Sequence, residues 1–173
     1  MSNNTAILLG ATGEVGGHLL QELVTNPNYR KIYVLGRASI HILPNYQKIE
    51  KIIIDFDKPI VNPGILLGAD VFCAIGTGER QDFEKVDYGY AYGFAKLCAG
   101  KVRSFNLVSA MGANSKTRYQ YLQVKGRLEE DLLKLNLGTH RFYRPSMLIA
   151  PKREGLTLDE AIWIKIFQVI SPA

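Results

Sequence analysis

Gly10-Ala11-Thr12-Gly13-Glu14-Val15-Gly16-Gly17 decides the reading, because of what stands on either side of it. Before it, Ala6-Ile7-Leu8-Leu9 is an apolar run of the buried-strand type. After it, Glu14 to Val24 places Val15, Leu19, Leu20, Leu23 and Val24 at helical spacing. A glycine-rich turn between a strand and a helix has a physical use. Gly10 permits the tight turn, Gly13 lets a pyrophosphate approach the backbone, and Gly16 lets helix and strand pack closely. The N–H groups and dipole at the helix start then favour an anion. The glycines are spaced three and three, where the most familiar dinucleotide fingerprint has two and three. No Lys follows them, as a P-loop would need. A glycine turn with no ligand is the alternative reading.

Outward from this turn, strand-like and helix-like segments alternate. Lys31 to Leu35, Ile49 to Ile54, Val71 to Ile75, Phe105 to Val108 and Arg141 to Tyr143 read as strands. A long helix is predicted over Phe83 to Ala99, with Phe83, Val86, Tyr90, Ala91, Phe94, Leu97 and Cys98 on its apolar face. Another runs over Tyr119 to Leu135, ended by Asn136 and Gly138. The stretch from Pro44 to Pro63 breaks the alternation, so the third crossover is expected to lack a full helix. The pattern predicts an α/β fold: a doubly wound parallel sheet of six or more strands with helices on both faces.

The chain has 173 residues, 47% of them hydrophobic and 21% charged, which suits one globular domain over 1–173 with a short helical extension at 151–173. Its net charge is +5 and its pI about 9.2. Lys and Arg are scattered, with no run longer than two, so a solvated surface is expected rather than a nucleic-acid partner. Cys73 and Cys98 lie in apolar stretches without metal or redox spacing and read as buried thiols. His18, His41 and His140 show no metal-ligand spacing, and no metal is expected. Polar Met1 to Thr5 leads straight into a strand, and no apolar run approaches the ~20 residues of a membrane span. The expectation is a cytoplasmic protein.

Two further features bear on chemistry. The second strand ends Val34-Leu35-Gly36-Arg37, without the carboxylate that would bond the adenosine ribose of NAD(H). Arg37 instead is placed to meet a 2′-phosphate, which its planar fork suits, so NADP(H) is the expected cofactor. Asp55 and Phe56 are expected beside the adenine, and Ile75, Gly76 and Thr77 along the crevice beyond the strand ends. Tyr121 and Lys125 stand four residues apart and share a helix face. A neighbouring ammonium favours the phenolate, and such a Tyr can pass a proton to or from a substrate oxygen. Ser109, at the end of the fifth strand, can polarise the same oxygen. Tyr119 is a decoy, since its fourth neighbour is Gln123.

These residues together carry a resemblance: the turn Gly10 to Gly16, Val34-Leu35-Gly36-Arg37, Phe105-Asn106-Leu107-Val108-Ser109, Tyr121-Leu122-Gln123-Val124-Lys125-Gly126 and Tyr143-Arg144-Pro145-Ser146. The chain resembles the atypical branch of the short-chain dehydrogenase/reductase superfamily, and within it the Tat-interacting-protein-like oxidoreductases and their bacterial relatives. The likeness spans about Ala6 to Ile170. It implies a Rossmann-like fold, NADP(H) held along Gly10, Thr12, Gly13, Glu14, Val15, Gly16 and Arg37, and hydride transfer with a small carbonyl or alcohol. It also implies that Ser109 orients the carbonyl, Tyr121 is the acid/base, and Lys125 holds the nicotinamide ribose. The main chain near Pro145 would meet the carboxamide. Extended relatives append a sizeable substrate domain after the sixth strand, whereas little follows Ala150 here. This motivates a second reading, an NADP(H)-binding regulatory protein with little turnover that presents a surface to a protein partner. The apolar face of Leu158 to Val169, with Ile162, Trp163, Ile166 and Phe167, is expected to dock on the domain itself or to pair two copies.

Overall fold

The computed structural model describes residues 4–77 and 82–146. Six parallel strands form one sheet in the order β3-β2-β1-β4-β5-β6: β1 (Asn4–Leu9), β2 (Tyr29–Gly36), β3 (Ile49–Ile53), β4 (Asp70–Cys73), β5 (Ser104–Val108) and β6 (Thr139–Tyr143). Helix α1 (Glu14–Thr25) joins β1 to β2, α2 (Ala91–Cys98) precedes β5, and α3 (Gln120–Leu132) precedes β6. The strand order reverses between β1 and β4, which is where an open α/β sheet leaves a crevice at its carboxyl edge.

The alternation of β1 shows why the sheet is covered on both sides. Ala6 and Leu8 point to one face, where they pack with Ile32, Val34, and Leu20 and Leu23 of α1. Ile7 and Leu9 point to the other, joining Val71, Cys73, Phe105 and Leu107 beneath Phe94, Ala95, Leu128 and Leu132 of α2 and α3. A strand buried on both faces needs an uninterrupted apolar run, which Ala6-Ile7-Leu8-Leu9 supplies. Helix α1 stops at Asn26, whose backbone is extended and whose next residue is Pro27.

Between β3 and β4 the chain makes only a short 3-10 turn, Pro63–Ile65, capped by the Asn62 side chain, which accepts the Gly64 N–H at 2.9 Å. The break in alternation from Pro44 to Pro63 is thus a crossover without a full helix. The predicted helix over Phe83 to Ala99 is built differently from expectation. Phe83–Tyr90 is wound as a π-helix and becomes α-helical only at Ala91. The amphipathic segment Leu158 to Val169, the extension at 151–173 and Gly78 lie outside the described residues.

At the amino edge of the sheet, Asp70 anchors a polar cluster. Its carboxylate accepts from Ser104 Oγ at 2.7 Å, Tyr29 OH at 2.8 Å and Arg103 Nε at 2.9 Å, and Arg103 Nη2 pairs with it as well. Burial works to raise the Asp70 carboxyl, but the hydrogen bonds from Arg103, Ser104 and Tyr29 outweigh it and hold the group below the usual carboxylate range. In turn burial, and then the bond to Asp70, push the Tyr29 phenol up to about 12. A depressed folded value stabilises the fold above the ordinary Asp range of ~4, and that contribution is lost as pH falls through the lowered value. Replacing Asp70→Asn should therefore flatten the acid limb of stability against pH, read as urea midpoints from about pH 5 downward. An acid limb as steep as that of the parent would contradict the pairing.

Candidate functional site

The β1–α1 turn is a close-packed backbone junction. Gly10 has φ +83°, a conformation that L side chains rarely adopt, and a Cβ there would overlap the Ala74 carbonyl at the end of β4. A Cβ at Gly16 would overlap the Gly10 carbonyl, so α1 can seat against the turn only with Gly at that position. Gly13 caps α1 in an extended conformation and provides no side-chain acceptor. The first-turn amides of α1 have no carbonyl one turn back to bond, so they remain donors for an anion.

A cleft of about 440 Å³ opens above this turn at the β1/β4 reversal. Of the residues expected there, Gly10, Thr12, Gly13, Arg37, Phe56, Ile75, Gly76 and Thr77 line it. Glu14, Val15, Gly16, Asp55 and Pro145 do not. Glu14 pairs with His18 at 3.5 Å on the exposed side of α1, and Asp55 accepts the Asp57 N–H at 2.9 Å, closing its own turn. The carbonyl of Pro145 accepts the Met111 N–H at 2.8 Å. The cleft also takes in Ser39, Lys85 and Tyr90, which the sequence did not single out. Tyr90 stacks on Phe56, with ring centroids 5.2 Å apart and planes at 25°. Lys85 lies over the Tyr90 ring and pairs with Asp57 at 3.2 Å. An aromatic pair between β3 and the π-helix thus walls one end, and Arg37 stands at the tip of β2.

Ser109, Tyr121 and Lys125 are not among the residues lining this cleft; they lie just after β5 and on α3. Ser109 follows β5, and its hydroxyl is buried without a hydrogen-bond partner. Tyr121 and Lys125 share a face of α3, with the ammonium 5.7 Å from the phenol ring centroid, and Tyr121 packs on Phe83 at 5.1 Å. Helix α3 is held close to the loop after β5 at Gly126, where a Cβ would overlap the backbone of Asn114 and Ser115. The Lys125 side chain is 3% exposed and its Nζ sits 3.5 Å from the Val108 carbonyl.

Burying an ammonium so deeply requires a counter-charge, and the structure supplies one that the sequence reading missed. Asp87, on the π-helix and 1% exposed, places Oδ1 2.9 Å from Lys125 Nζ. Its Oδ2 accepts the Thr77 N–H at 3.0 Å. The Lys125 contact lies off the hydrogen-bond direction, so Oδ1 has an ionic neighbour but no directed hydrogen bond. Among the described residues, Asp87 Oδ1 and Ser109 Oγ are the buried side-chain polar atoms left without one. Buried polar atoms are nearly always satisfied, so the Ser109 hydroxyl, which has neither a hydrogen bond nor an ionic neighbour like that of Asp87 Oδ1, is the exception that calls for a use. A signal for Asp87 did exist. It falls on the stripe Phe83, Asp87, Ala91, Phe94, Cys98, where every other residue is apolar.

No protein-family model matches the chain. Over 162 residues it is 32% identical to protein HTATIP2 of Rattus norvegicus, a match covering 90% of this chain and 67% of that protein. It is 33% identical over 155 residues to the mitochondrial protein FMP52-1 of Scheffersomyces stipitis, covering 86% and 69%. Against the mitochondrial protein FMP52 of Candida albicans it is 31% identical over 170 residues, covering 91% and 73%. Among solved structures, the reductase domain of PhqB from Penicillium fellutanum superposes with a TM-score of 0.69 at 16% identity, covering 99% of this chain and 57% of that one. A short-chain dehydrogenase/reductase from Veillonella parvula gives 0.55 at 19% identity, covering 100% and 88%. At such identities the structures speak to the fold, which is that of NAD(P)-binding reductases. The mitochondrial relatives overturn the expectation of a cytoplasmic protein. That expectation rested on the lack of an apolar leader or span, and mitochondrial addresses are written in amphipathic, basic segments instead.

The junction at Gly16 can be tested without any ligand assignment. Gly16→Ala should lower stability by about 1–3 kcal/mol, the usual range for overpacking, because backbone and not a flexible side chain must move. Gly93→Ala, with open space around the added methyl, is the control. Equal denaturation midpoints for the two variants would contradict the packing described.

Proposed function

We propose that this chain, which belongs to the family of HTATIP2 and FMP52 proteins within the atypical short-chain dehydrogenases/reductases, is an NADP(H)-dependent oxidoreductase acting on a small carbonyl or alcohol. The observation that carries the reading is the pairing of Arg37 with the uncapped glycine turn in one cleft, with no carboxylate at the end of β2. In this reading the amides after Gly13 bind the pyrophosphate, and Arg37 binds the adenosine 2′-phosphate through its planar fork. Phe56 and Tyr90 cover the adenine. A bound nicotinamide would supply or accept the hydride.

The chain's own groups would do the rest. Ser109 Oγ, buried and without a hydrogen bond, is free to donate to a carbonyl oxygen. Tyr121 delivers or removes the proton at that oxygen, since its phenol shares the α3 face with the ammonium of Lys125. Lys125 holds the ribose next to the reacting ring. The support for these roles is the family's Ser–Tyr–Lys pattern together with the placement of all three residues around the β5–α3 edge. The second reading, a cofactor-dependent regulatory protein, draws on Leu158 to Val169, which lie outside the described residues.

Fluorescence titration should show tighter binding of NADPH than of NADH. Arg37→Ala should weaken NADPH by about 10-fold or more while leaving NADH within about 2-fold, as expected for loss of one charge-assisted phosphate contact. Comparable affinities for the two nucleotides in the parent chain would contradict the NADP(H) assignment. With NADPH consumption followed across a panel of aldehydes and ketones, Tyr121→Phe should lower turnover by at least ~100-fold without weakening NADPH binding. Turnover undiminished in Tyr121→Phe would remove the assigned acid/base.

A further inference from the structure

The cofactor cleft and the Ser109–Tyr121–Lys125 group are built on different elements, and one side chain joins them. Thr77 lines the cleft, and its N–H is bonded to Asp87 Oδ2 at 3.0 Å. Lys125 belongs to the other group and sits 2.9 Å from Asp87 Oδ1. Both ends of a single buried carboxylate are therefore committed, one to the loop after β4 and one to α3. We propose that Asp87 is a positioning residue: it fixes the Lys125 ammonium relative to the Gly76–Thr77 loop, so that seating the nicotinamide half of the cofactor and placing Lys125 are one event. This inference rests on the NADP(H) reading above and adds to it a residue through which Lys125 acts.

Three observations carry it. First, the pair is not explained by stability. A buried ion pair roughly breaks even against apolar residues of similar volume, so its presence on an otherwise apolar stripe calls for a different use. Second, the local backbone is shaped to bring the carboxylate in. Asp87 occurs in the π-helical stretch Phe83–Tyr90, and π-turns recur at functional sites. Gly76 leaves room for it: a Cβ on Gly76 would come to 3.2 Å of Asp87 Oδ1, tighter than ordinary contact. Third, the ammonium is held without being used up. Of its three donors, one makes the long 3.5 Å approach to the Val108 carbonyl, while Asp87 Oδ1 balances the charge from 2.9 Å without a directed hydrogen bond. A donor is left for a ribose hydroxyl, while the charge stays neutralised and the side chain stays aimed.

The test compares two nucleotides that differ in whether they reach Lys125. NADPH carries the nicotinamide ribose, whereas adenosine 2′,5′-bisphosphate carries only the half that Arg37 and the Phe56–Tyr90 pair would hold. Asp87→Asn keeps an oxygen for the Thr77 N–H and removes the charge that holds Lys125. It should weaken NADPH by about 10-fold, a coupling of ordinary size for a side chain in one network, and leave the bisphosphate within about 2-fold. Should Asp87→Asn fail to fold, as judged by circular dichroism and melting, Asp87→Glu keeps the charge, displaces it by one methylene, and carries the same expected selectivity. A purely structural Asp87 predicts equal weakening of both nucleotides alongside a lower melting temperature, and that result would overturn the proposal, as would unchanged NADPH affinity in a folded variant. If the parent chain binds neither nucleotide, the NADP(H) reading falls and the inference with it. If the parent binds both and the variant loses both equally, only the role of Asp87 falls.

Discussion

The close approach of backbone to backbone at Gly10 is the constraint on which the carboxyl edge of the sheet depends. The turn leaves β1 with positive φ against the Ala74 carbonyl, and Ala74 N–H in turn donates to the Leu9 carbonyl at 2.9 Å. Helix α1 then closes on the same turn through Gly16. No side chain can stand in these gaps, so the ends of β1 and β4 are drawn together while their outgoing chains diverge to opposite faces. The cleft is the space between those diverging chains. Its position is a consequence of strand order, and the α1 start that borders it has no side-chain cap.

A second constraint governs the other half of the site. Lys125 is buried among the residues of α3 that cover the sheet, and a buried ammonium needs a partner. Asp87 meets that need from a helix wound with an extra residue per turn, and the same carboxylate grips the loop that lines the cleft. The arrangement ties together three segments far apart in sequence, around residues 77, 87 and 125. Ser109, next along the chain from the Val108 carbonyl that Lys125 approaches, has a buried hydroxyl without a hydrogen bond. At the amino edge, by contrast, the polar groups of Asp70, Ser104 and Tyr29 satisfy one another. Among the described residues, the buried side-chain oxygens without a hydrogen bond, Asp87 Oδ1 and Ser109 Oγ, lie outside that cluster.

Much of this was legible in the sequence, because the physical signals were periodic and local. The apolar run at Ala6 to Leu9 read as a buried strand, Phe105 to Val108 as another strand, and the glycine spacing as a turn packed on a helix. The irregular third crossover was visible in its prolines. The winding of Phe83–Tyr90 was not, since its apolar residues fit α-helical spacing well enough and the π form depends on tertiary packing. Asp87 was passed over because an acidic residue within a helix ordinarily faces solvent. Only its place on the apolar stripe argued otherwise. Tyr90, Ser39 and Lys85 reach the cleft through the fold, from segments whose sequence carries no motif. Asp55 follows β3 as expected, and its carboxylate also closes a local turn by accepting the Asp57 N–H.

The most direct measurement of the central claim is a crystal structure of the chain grown with NADP⁺. The pyrophosphate should lie against the amides that follow Gly13, the 2′-phosphate within hydrogen-bonding distance of the Arg37 guanidinium, and the nicotinamide ribose bonded to Lys125 while Lys125 remains paired with Asp87. A nucleotide bound elsewhere on the surface, or one seated in the cleft with its 2′-phosphate turned away from Arg37 and its ribose out of reach of Lys125, would contradict it.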